Sequence, residues 1–400
     1  MVAALMASCG MKDQVQWLMP TPLVYLDGRV QPFRHLPDRD RKPEIEVFYA
    51  TNRSGEKGRY GNRIADRMSY GTARMRIGEP GDDWAALVKA STVDPRESPM
   101  PVDLLDHDEV ARDDDPAATR MWLERVDRSL RATMTRDIVL YVHGAKVGFH
   151  HSCAFAAELD HFSGRDFTSM AFDWPTHQDI ISYIDRVDLA RARESSSRLA
   201  DLLETLSSRT SVRKIHIVSW SAGARVLSRA LAELGERGGG VAGEKLRLGT
   251  VVFAASDVPE SDFLTRLPVM HSICERLIIY VSDADFALKW SSRLMGGGRR
   301  LGLEPEQLDE TEIAMLRKMP RVELIDVSYG KAWRGFDITG HRYWFQHPWV
   351  NSDLVLALRT GADAQRRGLK KAPLGRVYYL DADYPKKIGG VARRLTAGSW

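Results

Sequence analysis

Ser219-Trp220-Ser221-Ala222-Gly223 is the stretch of this sequence best suited to nucleophilic chemistry. Before it lie Ile215, Ile217 and Val218, a β-branched apolar run with the composition of a strand buried on both faces. After it, Ala224, Val226, Leu227, Ala230 and Leu231 recur at helical spacing. Strand, tight turn and helix with a serine at the apex make a nucleophile elbow, in which a strained turn pushes the Ser221 hydroxyl clear of the sheet edge. Gly223 lets the helix lie close, and the Ala222 N–H is left at a helix N-terminus, where it can hold an oxyanion. The motif departs from G-x-S-x-G in having Ser219 where the first glycine belongs. Alone, such a pentapeptide also fits a serine-rich turn without chemistry, so the partners must decide.

A serine nucleophile needs a base within hydrogen-bond reach and a carboxylate that holds the base in the right tautomer. Where the nucleophile sits on an elbow, the chain order is serine, acid, histidine. Of eleven histidines only His271, His341 and His347 follow Ser221. His271 precedes the strand expected at Leu277–Val281, and Asp283 and Asp285 lie just past that strand, where open α/β sheets gather functional groups. His341, after a turn at Gly340, is the preferred base and His347, beside Pro348, the weaker one. Asp285 is the preferred acid and Asp283 its reserve, although either also suits the N-cap of a helix beginning near Phe286. Asp257, ending the previous strand, reads chiefly as a turn residue. The second oxyanion donor is expected in His143-Gly144-Ala145, with the Ala145 N–H turned toward the nucleophile and His143 bracing the loop. His143, His150 and His151 fit no ordinary metal spacing, and neither a metal nor an organic cofactor is expected.

The rest of the chain must supply a scaffold for those groups. Hydrophobic residues at 44% and charged residues at 28% are ordinary globular usage, and a net charge of +3 without a basic, aromatic-interleaved stripe argues against nucleic acid. No stretch approaches the roughly eighteen apolar residues of a membrane span. Cys9, Cys153 and Cys274 show no redox or metal spacing. From Asp137 onward the pattern alternates: strands at Ile138–Val142, Thr168–Phe172, Leu246–Ala255, Leu277–Val281 and a last one at Val322–Val327, with helical stretches at Ser152–His161 and Ile180–Leu206 between them. This is an α/β chain with a mostly parallel central sheet and helices on both faces. Upstream, Glu44–Ala50 and Ser69–Ile77 alternate as an antiparallel edge pair, Glu79–Arg120 reads as loop with a solvated acidic cluster at Asp113–Asp115, and a helix spans Met121–Thr133.

Three units follow. Residues 1–43 form an N-terminal extension, the part from Gln14 being a linker or surface strap; residues 44–360 form the main domain, with room for a lid at 289–320; residues 361–400 are a C-terminal extension with a strand at Arg376–Leu380. Met1–Gly10 looks like the end of a bacterial lipoprotein signal, with Ala7-Ser8 before a lipidatable Cys9, although the basic start and full apolar length are lacking. On that reading Cys9 anchors the protein to a membrane facing the periplasm or envelope; otherwise the protein is cytoplasmic.

Several segments together resemble the α/β-hydrolases of a bacterial family of unknown function related to lipases and esterases. They are Phe48-Tyr49-Ala50-Thr51-Asn52-Arg53, Tyr141-Val142-His143-Gly144, Phe172-Asp173-Trp174-Pro175, the elbow itself, Asp285-Phe286-Ala287-Leu288 and Gly340-His341-Arg342-Tyr343. The resemblance spans about Glu44–Arg359 and implies an α/β-hydrolase fold with Ser221 as nucleophile, Asp285 as acid and His341 as base. The sequence departs from the family at Trp220, where histidine is usual, and at Asp173, where serine is commoner. Trp220, Trp174 and Lys146 are expected to line a substrate pocket. The expected function is hydrolysis of a small-molecule or lipid ester through an acyl-enzyme. The alternatives are an amidase or thioesterase using the same groups, or a non-catalytic, membrane-anchored binding protein that keeps the fold.

Overall fold

The computed structural model describes residues 15–28, 30–56, 59–94, 96–177, 187–238, 245–295, 298–303, 309–328, 340–373 and 377–396. Cys9 and the lipoprotein reading lie outside them, as does the start of the helix expected from Ile180. A short helix α1 (Leu23–Leu26) precedes the hairpin β1 (Glu44–Glu56) and β2 (Arg59–Ile77), followed by α2 (Trp84–Thr92), β3 (Val102–Arg112) and α3 (Pro116–Ala132). Strand and helix then alternate through β4 (Asp137–Val142), α4 (Phe149–Phe162), β5 (Phe167–Asp173), α5 (Val187–Arg209), β6 (Ile215–Trp220) and α6 (Gly223–Gly238). The alternation continues with β7 (Leu248–Ala254), α7 (Glu260–Ile273), β8 (Cys274–Val281), α8 (Phe286–Met295), α9 (Glu310–Arg317) and β9 (Val322–Asp326). The chain ends with α10 (Tyr343–Gln346), α11 (Pro348–Thr360), β10 (Lys370–Lys371), β11 (Val377–Tyr379) and α12 (Tyr384–Leu395).

Among the described residues these strands make one sheet, ordered β10-β11-β9-β8-β7-β6-β4-β5-β1-β2-β3. From β11 to β1 every pairing is parallel, with antiparallel β10 at one edge and β2 and β3 at the other. The central strands are apolar on both faces because helices cover both. Val139, Tyr141, Val218, Val252 and Ile278 enter the core under α4 and α11, while Ile138, Leu140, Ile217, Val251 and Leu277 enter the one under α3, α5, α6 and α7. The elbow strand β6 lies between β4 and β7, so the loops after both neighbours reach the nucleophile.

The structure corrects several expectations. Glu79–Arg120 is not loop: it contains α2, capped by the Asp83 carboxylate accepting from the Ala86 N–H at 2.9 Å, and β3, whose charged edge sequence hides its period. The acidic cluster is structural as well. Asp115 caps α3, which therefore starts at Pro116, while Asp114 pairs with Arg67 and Asp113 with Arg198. β11, inside the strand expected at Arg376–Leu380, adds in parallel beside β9. Of the linker and strap readings, the described part of the N-terminal extension matches the strap. Gln16–Leu18 pairs with Met100–Val102, and Leu18, Met19, Val24, Tyr25 and Val30 join the core. In the expected lid region, residues 298–303 are wedged between strand ends: Gly302 N–H donates to Ser256, Leu301 N–H to Val258, and Ser282 N–H to Gly302.

The strap is tied to a buried carboxylate. Glu158 on α4 accepts from the Met19 N–H at 2.6 Å and the Gln16 amide at 2.7 Å. Burial outweighs these donors and raises the Glu158 carboxyl to about 8, and burial likewise raises neighbouring Asp160 to about 7. The folded chain thus keeps two protons that the unfolded chain releases near pH 4, so this contribution to stability is complete below about pH 4 and is lost as pH rises through about 7 to 8. Glu158→Gln keeps an acceptor and removes one titration. Its melting temperature should fall less between about pH 5 and 9 than that of the wild type. Equal declines in the two proteins would refute this account.

Candidate active site

Ser221 follows β6 with a backbone φ of 52°, the left-handed region that a side chain tolerates only under constraint. Three backbone hydrogen bonds impose it: Ser221 N–H donates to Ala254 at 3.0 Å, and the Ser221 carbonyl accepts from Ala224 at 3.1 Å and Asp257 at 3.2 Å. Gly223 is required here, since a Cβ would lie 2.5 Å from the carbonyl oxygens of both Val142 and His143. The elbow is therefore sunk against the end of β4.

His341 Nε2 lies 2.8 Å from Ser221 Oγ, and His341 Nδ1 lies 2.8 Å from Asp285 Oδ2 and 3.1 Å from Oδ1. Asp285 is fully buried, and its Oδ1 also accepts the Leu288 N–H at 3.0 Å in the first turn of α8. The helix-capping and histidine-holding readings of this residue are thus met by one carboxylate. The carboxylate at His341 is that of Asp285, while the Asp283 backbone N–H donates to Ser328 Oγ at 2.8 Å and its backbone carbonyl accepts from Lys289 Nζ at 2.6 Å. His347 caps α11, accepting from the Trp349 N–H. Asp257 is committed to Arg300 Nε at 2.8 Å and accepts from Ser291 Oγ at 2.8 Å.

Ala222 is buried and Ala145 half-buried, and among the described residues neither N–H has a hydrogen-bond partner. The loop bearing Ala145 abuts the nucleophile, as a carbon added at Gly144 would lie 3.1 Å from Ser221 Cβ. Two backbone donors thus border the turn that carries Ser221.

The three residues expected to line a pocket are buried: Trp174 is 0% exposed, Lys146 3% and Trp220 5%. Trp174 stacks on His143 and donates its indole N–H to the His143 carbonyl at 2.7 Å. Trp220 donates to the His341 carbonyl at 3.2 Å and packs edge-on against Phe345, shouldering the histidine. Lys146 sits in the loop with φ of 60°. The described residues contain no group of three or more His, Cys, Asp or Glu that could hold a metal, and no helix long and apolar enough to cross a membrane.

Two supporting residues had no role assigned from sequence. The Tyr343 hydroxyl accepts from the Ala255 N–H at 2.7 Å and donates to the Tyr280 carbonyl at 2.8 Å, tying the ends of β7 and β8 together two residues after His341. Burial, then the Asp285 charge, raises that hydroxyl far above its ordinary range, so it keeps the proton it donates. Arg53 lies buried against Asp173, its Nε 2.7 Å from Oδ2. Burial alone would raise Asp173, but the Arg53 guanidinium and His143 hold it below the usual carboxylate range. Both residues stand in quoted motif segments, which was the only signal of their place at the site.

An elbow serine on a central strand of a mostly parallel sheet covered on both faces defines the α/β-hydrolase class. Residues 116–359 match the family model described as alpha/beta hydrolase of unknown function (DUF900), more than half of the chain, and the chain belongs to that family. Among solved structures it is similar to the Bacillus licheniformis lipase BlEst2 in mature form, at 14% identity over 65% of this chain and 89% of that chain, with a TM-score of 0.24. No curated protein matches it.

His341 is delivered by Gly340, whose φ is 62° and whose added Cβ would lie 2.1 Å from the Ala284 carbonyl oxygen. Gly340→Ala should therefore push the histidine segment away from the Asp285 turn and cost about 1–3 kcal/mol. The unfolding free energy measures this, and a variant as stable as the wild type would refute it.

Proposed function

We propose that this hydrolase-fold protein is a serine hydrolase that cleaves carboxylic esters through an acyl-enzyme. The observation that carries the reading is the hydrogen-bonded series Ser221 Oγ, His341 Nε2, His341 Nδ1, Asp285 Oδ2, with 2.8 Å at each of its two contacts. A carboxylate facing Nδ1 fixes the tautomer that carries its proton there and leaves Nε2 as the acceptor for the serine proton.

In the first half-reaction His341 takes the Ser221 proton as Oγ bonds to the ester carbonyl carbon. The carbonyl electron pair moves onto oxygen, where the N–H groups of Ala222 and Ala145 receive it. Asp285 offsets the imidazolium charge. The C–O bond to the leaving group then breaks, and His341 gives its proton to the departing alkoxide. A water molecule repeats the sequence: His341 takes its proton, hydroxide oxygen adds to the acyl carbon, and Ser221 leaves with the proton returned. The same groups can attack amides and thioesters; an oxygen ester, without the resonance that strengthens the amide C–N bond, asks less of them than an amide does.

The test is the intact mass of the folded protein after a fluorophosphonate, with Ser221→Ala as control, followed by turnover of an oxygen ester, a thioester and an amide sharing one acyl chain. One adduct, absent in Ser221→Ala, with fastest turnover on the oxygen ester, is the expected result. Ser221→Ala and His341→Ala should each lower kcat by on the order of 10⁶, and Asp285→Asn by about 10⁴. Retained turnover in Ser221→Ala would reject the assignment. Faster thioester or amide cleavage would keep the site and replace the substrate class.

A further inference from the structure

Three of the motif segments take no part in the steps above: Thr51-Asn52-Arg53 on β1, His143-Gly144 after β4, and Asp173-Trp174 after β5. They meet in one buried network. Arg53 Nε donates to Asp173 Oδ2 at 2.7 Å, one terminal nitrogen reaches the Val147 carbonyl at 2.7 Å and His143 Nε2 at 3.3 Å, and the other reaches the Gly61 carbonyl at 3.2 Å. His143 Nδ1 faces the Gly144 carbonyl at 2.7 Å, while its Nε2 lies 3.2 Å from Asp173 Oδ1. The Thr51 hydroxyl lies 2.7 Å from the Asp173 carbonyl, and Thr176 donates to Val147 at 3.0 Å.

The loop from His143 to Val147 is therefore gripped at both ends, by Trp174 and Asp173 at the first residue and by Arg53 and Thr176 at the last. Between those ends lies Ala145, followed by Lys146 at φ 60°, a strained backbone that persists only when its surroundings over-determine it. Arg53 reaches the loop because the β1–β2 register breaks between Thr51 and Arg53, which re-aims the chain past the sheet end.

We propose that Arg53, together with Asp173, is a positioning residue that holds the His143–Val147 loop so that the Ala145 N–H stays aimed at the nucleophile. This rests on the assignment of Ala145 as an oxyanion donor. Stability alone is a poor explanation for the pair. A buried ion pair is often matched or bettered by apolar residues of similar volume, whereas apolar residues cannot grip a carbonyl. A guanidinium presents five N–H donors in a rigid fork and can span Asp173, Val147 and Gly61 at once, which a lysine ammonium cannot.

The test compares wild type, Arg53→Lys and the double variant Arg53→Met/Asp173→Leu. Ester kinetics against pH, the melting temperature and amide hydrogen exchange are measured on each. The double variant should fold, lose kcat by about 10²–10³-fold as when one oxyanion donor is removed, and keep KM within about threefold. Its acid-limb midpoint in kcat/KM should not move, because His341 and Asp285 are untouched. Exchange should quicken at residues 143–148 only, and Arg53→Lys should fall between the two. A folded double variant with wild-type kcat and loop exchange would overturn the proposal. So would a loss of kcat no larger than the fraction unfolded. If the double variant does not fold, Arg53→Lys decides by the same readouts. If the wild type neither hydrolyses esters nor takes up a fluorophosphonate, the functional reading fails. The loop exchange then still decides whether Arg53 holds the loop.

Discussion

The reversal of the chain at Ser221 is the constraint on which the remainder depends. A non-glycine residue at φ 52° costs of order 1 kcal/mol or more, and only its surroundings can hold it there. Those surroundings are the neighbouring strands. β4 ends against Gly223, and β7 supplies the Ala254 carbonyl that takes the Ser221 N–H. A strand at the sheet edge would have had one such neighbour. Because β6 is central, the serine is fixed from both sides, and each side contributes a loop with its own chemistry.

Those loops are secured alike. Beyond β4, Arg53 and Asp173 form a buried ion pair that grips the loop bearing Ala145. Beyond β7, Arg300 and Asp257 form another, and Asp257 also accepts from Ser291 on α8, the helix that begins after Asp285. Buried charge is expensive unless geometry and hydrogen bonds are nearly complete, and here it is spent on either side of the elbow, where a small displacement would separate the reacting groups. Tyr343 does by neutral hydrogen bonds what the two pairs do by charge, bridging strand ends beside His341.

The legible part of this arrangement was the part carried by period and order. Buried parallel strands announce themselves as apolar runs, and serine, aspartate and histidine fell in the order that an elbow demands. Asp285 was open to two readings because the same residue type caps helices and orients histidines; it does both, which no spacing distinguishes. The long hairpin beyond Ala50 was not legible, since residues 52–68 alternate among charged and small side chains without an apolar period. The indole partners of Trp174 and Trp220 were not legible, because a tryptophan near a strand end looks the same whether its N–H meets a ligand or a backbone carbonyl. Arg53 was illegible as a partner of Asp173, which lies 120 residues away and is joined to it only by the parallel pairing of β1 with β5.

That pairing also separates the extent of the family match from the extent of the folding unit. Residues 116–359 contain Ser221, Asp285, His341 and the Ala222 and Ala145 N–H groups, but not β1, β2, β3 or the strap. Ended there, β5 would become an open parallel edge with unpaired backbone groups, and Asp173 would lose both its Thr51 neighbour on β1 and the Arg53 charge that holds its carboxyl down. Glu158 would likewise lose both of its strap donors, Gln16 and Met19. The reacting groups and the structure that makes them rigid thus have different boundaries in sequence. The unit able to hold the His143–Val147 loop in place must reach back at least to β1, and the one that closes the core beneath α4 must reach back to Gln16.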